Sequence, residues 1–277
     1  MSPTDATAEK PKPNIQEVGT GDTRDKPIKL GGALVTMVEP HKGHEVAYNR
    51  WYERDHFYAG CQIGAWNLAG TRFVATRECK AKRYPENSPI CPDPTSGSYL
   101  AVYWILAGKF GEWIQWGTNQ VNWLHENGRM FPHRDHIHTL MYKYRGEVHA
   151  EEDGVPAELA LDRRYPGLVL VIGELADGVK DTQITEWVQS RPLPADQVVT
   201  FTPIPLLGNA PSDVPRDEAA DRFCHLYFVD GDPVEVWDEK FASLGDDLAA
   251  TGLGTVVFAS PFIGTIAGTD TYTDQLW

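Results

Sequence analysis

The chain has 277 residues, 42% hydrophobic and 11% aromatic, with nine tryptophans; that is enough to bury a sizeable core and excludes wholesale disorder. Its 39 acidic residues outnumber 25 basic ones, for a formal charge of -14, which argues against a nucleic-acid partner and against docking on an anionic membrane, since both draw on basic surfaces. No apolar run approaches the roughly 18 residues of a membrane span, the polar N-terminus lacks a signal-peptide core, and Cys61, Cys79, Cys91 and Cys224 form no CxxC pair, so free thiols and a cytoplasmic location are expected.

Residues 1–28, rich in Pro, Lys, Asp, Thr and Glu, read as a disordered arm. The run LGGALVTMV at 30–38 reads as a strand, and the helical spacing of Val46, Tyr48 or Asn49, and Tyr52 or Glu53 predicts a helix over 42–58. A second strand follows over 66–76, and four prolines make 80–98 a loop. The aromatic and β-branched run YLAVYWILA at 99–107 is a third strand. A helix over 111–127 is anchored by Trp113, Trp116, Val121 and Leu124, with Gly128 where a C-terminal cap falls. A fourth strand occupies 138–148.

The order then recurs. It runs strand 167–175, helix 182–190 stopped by Pro192 and Pro194, strand 198–207, polar loop 209–221, strand 223–229, helix 234–248 and strand 255–266. Anchor spacings support an internal repeat: Glu39 precedes Trp51 by 12 residues and Glu174 precedes Trp187 by 13, while Tyr103 and Tyr227 each precede a tryptophan, Trp113 and Trp237, by 10. Each βαββαβ unit is ferredoxin-like, with both helices on one sheet face. The other face must also be buried, and two units in one chain achieve this sheet on sheet. The expected fold is α+β: units at 29–150 and 167–277, joined by a linker at 151–166, forming a barrel-like pseudo-dimer in one polypeptide. A further homodimer is compatible with this.

The most informative string is NRWYERDHF, Asn49 to Phe57, at the end of the first helix. Tyr52 and His56 are four apart and project from one face. An imidazole titrates near neutrality and a phenol can hydrogen-bond to a carbonyl or enolate, so the two form a candidate proton-handling set. Asp55, adjacent in sequence, orients the imidazole only if the helix bends there. The plainer alternative is that Tyr52 and His56 pack and cap a helix terminus.

This string resembles the N-x-W-Y-x-x-x-H helix signature of dimeric α/β-barrel proteins, the EthD-like group in particular. The resemblance implies a single-chain dimeric α/β-barrel with His56 and Tyr52 facing a pocket between sheet and helices. Such proteins include cofactor-free cyclases and monooxygenases, isomerases and haem enzymes. The second unit departs from the signature: aligned on Trp187, Val188 replaces the tyrosine and Pro192 the histidine. One active half and one scaffold half are therefore expected.

A second cluster, His133, Arg134, Asp135, His136, Ile137 and His138, reads first as a polar, partly solvated strand entry, and could hold a metal if His136 and His138 share a strand face. His125, His136, His138 and His149 are also formal candidates for haem ligation. The basic stretch Arg72, Arg77, Lys80, Lys82 and Arg83 reads as a solvated strand end, with a hold for a substrate carboxylate as the alternative, and the tail ending in Leu276 and Trp277 as tied down by packing.

The resulting expectation is an enzyme that works without cofactor or metal on a hydrophobic, aromatic or polyketide-like small molecule. His56 is its acid or base, Tyr52 its oxyanion donor and Asp55 the tuning group. Asn49, Trp51, Tyr103, Trp104 and His138 are the expected substrate contacts. A non-enzymatic small-molecule or haem-binding protein is the alternative.

Overall fold

A computed structural model of the protein describes residues 28–216 and 221–277. The expected disordered arm falls, but for its last residue, outside the described residues. The first half runs β1 (Leu30–Pro40), α1 (Glu45–Trp51), β2 (Asn67–Val74), α2 (Arg77–Lys80), β3 (Tyr99–Leu106), α3 (Phe110–Glu126) and β4 (Arg134–His149). The second runs β5 (Gly167–Leu175), α4 (Asp181–Gln189), β6 (Gln197–Ile204), β7 (Arg222–Val229), α5 (Trp237–Lys240), α6 (Leu244–Thr251) and β8 (Gly254–Gly264). The helix expected over 234–248 is thus two short helices.

The eight strands close into one antiparallel barrel in the order β1-β3-β2-β8-β5-β7-β6-β4. Within each half the strand order is the same, 4-1-3-2 in the first and 8-5-7-6 in the second. The halves meet at two seams. β4 and β6 pair along their length, from Met141↔Ile204 to His149↔Gln197, whereas β2 and β8 pair only at Phe73↔Gly264 and Val74↔Ile263.

Alternation along the strands sends one set of side chains into the barrel and the other towards the helices. On β1, Ala33, Val35 and Met37 point in, and Val38 packs with the helical layer. Trp104, Tyr142, Phe201, Phe228, Phe258 and Phe262 fill the interior. Burying each such side chain contributes about 1.5–3 kcal/mol, so the barrel is a packed core and not a channel.

The basic stretch differs from expectation. Arg72 and Lys80 are buried. Arg72 pairs with Glu53 at 3.3 Å and donates to Asn49 Oδ1 at 2.9 Å. The Lys80 ammonium donates to Ser98 Oγ at 2.6 Å and to the Leu276 carbonyl at 3.1 Å, and lies 3.7 Å from Glu39. Burial opposes charge on both members of that pair: Glu39 is raised and Lys80 lowered to about 8. These cations anchor chain segments rather than face solvent. The tail straps back over the first half through Asn49 to the Thr269 carbonyl, Arg50 to Asp270, and buried Leu276. All four cysteines are buried and free. Among the described residues no helix is long and apolar enough to cross a membrane.

Candidate functional site

The helix that carries the signature string does not stay α-helical. After α1 it widens into π-helical turns over Tyr52–His56 and Tyr58–Gln62. The Phe57 amide donates to the Tyr52 carbonyl, five residues back. Widened turns of this kind recur where a helix presents functional side chains. Here they bring residues five apart onto one face: the rings of Trp51 and His56 stack with centroids 4.6 Å apart and planes at 18°. Tyr52 meets His56 edge to face at 5.2 Å. The other side of the imidazole lies against Gly60, where an added Cβ would come within 3.0 Å of His56 Cε1.

His56 and Tyr52 both line a largely apolar cavity of about 100 Å³ between the first half's sheet and its helices. Leu34, Val38, Trp113, Ile114 and Met141 form much of its wall. His56 Nδ1 is enclosed and has no hydrogen-bond partner. Burial, reinforced by the nearby Arg134, His136 and His125, lowers its pKa to about 3, so the ring is neutral at physiological pH. The Tyr52 hydroxyl lies 2.9 Å from that of Tyr103. Burial raises the Tyr52 pKa above the ordinary phenol value, which makes it a hydrogen-bond donor and not a base.

One end of the cavity is polar. Arg134 Nη2 donates to Asp213 Oδ2 at 3.1 Å and to His136 Nε2 at 3.4 Å, and His125 Nε2 lies 3.5 Å from Asp213 Oδ1. Burial first, then Arg134, lowers His136 to about 4. A neutral ring whose Nε2 accepts from Arg134 carries its proton on Nδ1, which then donates to Thr139 Oγ1 at 3.0 Å. Asp213 belongs to the loop after β6, and Leu206, Ala210, Pro211 and Val214 of the same loop also line the cavity. The second half is therefore more than a scaffold: it closes the first half's cavity.

The structure separates the expected site residues. Asp55 pairs with Arg129 and so does not orient the imidazole. Asn49 is buried between Arg72 and the tail. Trp51 lies behind the His56 ring, and Tyr103 behind Tyr52. Trp104 points into the barrel, where its indole donates to the Ala157 carbonyl at 2.8 Å. None of these five residues lines the cavity.

The His cluster is also divided. The pairing of β1 with β4 slips between Met37↔His138 and Val38↔His136, so Ile137 is a bulge. A bulge reverses side-chain parity. His136 consequently faces the cavity, while buried His138 approaches the Tyr142 hydroxyl at 2.8 Å on the barrel side. The two cannot share a metal, and among the described residues no three His, Cys, Asp or Glu side chains are grouped to hold one. Arg134 stood in the sequence only as a member of the His133–His138 cluster, and Asp213 carried no signal, because it sits in a loop about 80 residues away.

No family model matches the sequence, and no curated protein does. Solved structures do match in shape. An anthrone oxidase-like protein superposes with a TM-score of 0.52 at 8% identity, over 88% of this chain and 98% of its own. A proposed chlorite dismutase gives 0.51 at 12% identity, over 90% and 100%. The fold is that of the dimeric α/β-barrel proteins. At such identities the likeness concerns the fold alone.

A DypB variant of Rhodococcus jostii in complex with haem also matches, with a TM-score of 0.44 at 11% identity, over 90% of this chain and 95% of its own. The expectation of a site without cofactor is withdrawn on that finding, since the structures resembling this chain include a haem complex. The cavity beside His56 does not fit haem as it is shaped. Its volume of about 100 Å³ lies below the roughly 300 Å³ at which pockets for drug-sized ligands begin. Both nitrogens of His136 are engaged, and His125, which also lines the cavity, lies with Nε2 3.5 Å from Asp213 Oδ1.

Proposed function

We propose that the protein is an enzyme acting on a small aromatic carbonyl compound held in the first-half cavity. His56 exchanges a proton with the carbon next to the carbonyl, and Tyr52 donates to the carbonyl oxygen as it gains charge. With Tyr103 donating to Tyr52, the Tyr52 proton is left for the ligand. One observation carries this reading: an imidazole with an orphaned nitrogen stands beside a phenol where the wall of the cavity is apolar. A buried polar atom without a partner calls for an explanation, and proton exchange with a ligand supplies one. The anthrone oxidase-like neighbour supports the substrate class by analogy of fold.

Solvent-deuterium exchange tests the proposal without knowledge of the full reaction. A panel of aryl ketones is incubated with the protein in D₂O, and α-deuteration is followed by NMR. The wild type is expected to accelerate exchange of at least one ketone. His56→Ala should abolish the acceleration, and Tyr52→Phe should reduce it by about 10²- to 10³-fold, the effect of losing one oxyanion donor. Exchange at the wild-type rate in His56→Ala would overturn the assignment.

A further inference from the structure

The polar end of the cavity has an asymmetry that bears on the ligand. Its cation, Arg134, is fixed: it opens β4, its side chain is only 6% exposed, and it lies over the Trp51 ring at 5.6 Å. His125 sits in the last turn of α3, and His136 backs Arg134 from β4. The carboxylate facing them, Asp213, is carried on a loop without regular structure and is 39% exposed. The donors therefore stand on the rigid layer and the acceptor on the part most easily displaced. A cavity with apolar walls and one cationic end suits an apolar body bearing a single acidic oxygen. A buried guanidinium needs a counter-charge, and any anion entering the cavity would compete with Asp213 for it.

We propose that Arg134 and His125 form the recognition site for a carboxylate or phenolate on the cavity's ligand, and that Asp213 holds this place until such a ligand binds. The inference rests on the cavity being the ligand site, and it narrows the substrate class to acidic aromatic molecules. Asp213 then acts as an internal competitor for the guanidinium that yields to an anion bringing its own apolar contacts, while a neutral ligand neither displaces it nor gains from its loss.

Benzoate and benzamide share shape and differ in charge, which makes them suitable probes. Their dissociation constants are measured by NMR titration at pH 7 with the full chain. Asp213→Asn is expected to tighten benzoate binding about tenfold and to leave benzamide within twofold. Adding Arg134→Gln to that variant should reduce benzoate to the affinity of benzamide. Benzamide binding with no gain for benzoate in Asp213→Asn would overturn this inference while leaving the cavity reading intact. Binding of neither probe to either protein would overturn both. Asp213 lies on a half-exposed loop, so its single variant decides the matter even if loss of Arg134 impairs folding.

Discussion

Gly60→Ala probes the setting of the His56 ring without removing the ring. The added methyl would lie 3.0 Å from Cε1, 3.2 Å from Nδ1 and 3.3 Å from Nε2. These contacts are tighter than ordinary carbon–carbon contacts of about 3.5–4.0 Å. The imidazole cannot retreat directly, because Trp51 is stacked on its far side at 4.6 Å. It must leave its rotamer, at about 0.5–1.5 kcal/mol, or force an overpacked contact, at about 1–3 kcal/mol. Against this, alanine in a helical turn gains about 0.8–1.0 kcal/mol over glycine. The single variant should therefore lie between a gain of about 0.5 kcal/mol and a loss of about 2 kcal/mol. In a His56→Ala background the clash disappears and only the helical gain remains, so the same change should stabilise by about 1 kcal/mol. Urea unfolding of the four proteins gives the coupling, expected at about 0.5–3 kcal/mol. Chemical shifts of the His56 ring in Gly60→Ala should move as well. A coupling near zero, with unchanged shifts, would refute the packing described for His56.

Other outcomes follow from particular contacts. His225 is buried, and burial lowers its pKa to about 3, below its ordinary 6.5. The unfolded chain then binds the extra proton as pH falls, so this contribution to stability is present above 6.5 and is lost towards 3, with a slope of about 1.4 kcal/mol per pH unit. His225→Leu should flatten the stability profile between pH 4 and 6 by about that slope in urea titrations; an unchanged profile would mean the imidazole is not held neutral. Asp55→Asn should leave α-deuteration at the wild-type rate and cost at most about 1 kcal/mol, because its partner is the half-exposed Arg129; a tenfold loss of exchange would restore Asp55 to the site. Leu276→Ala should destabilise by about 2–5 kcal/mol, since this side chain of the tail is 1% exposed and packs into the first half's core; a change below about 0.5 kcal/mol in thermal unfolding would place it among surface positions.

Much of the architecture was legible in the chain. Alternating apolar runs such as 99–107 specify strands whatever they pack against, because a period of two puts every second side chain on one face. The element order implied two βαββαβ halves, and their unburied sheet faces required each other, which is the barrel. His56 and Tyr52 could be singled out because four residues of helix join them. The tertiary structure decided what local periodicity does not contain. On an ideal α-helix Trp51 and His56 would lie roughly 140° apart around the axis; only the widened turns stack them. Strict alternation would have put His136 and His138 on one face, and a single bulged residue parted them. Arg134 and Asp213 became neighbours only when the loop after β6 crossed the seam between the halves. The basic stretch looked solvated because charge ordinarily avoids burial; Arg72 and Lys80 are inside because each finds, far along the chain, the carboxylates and carbonyls that compensate it.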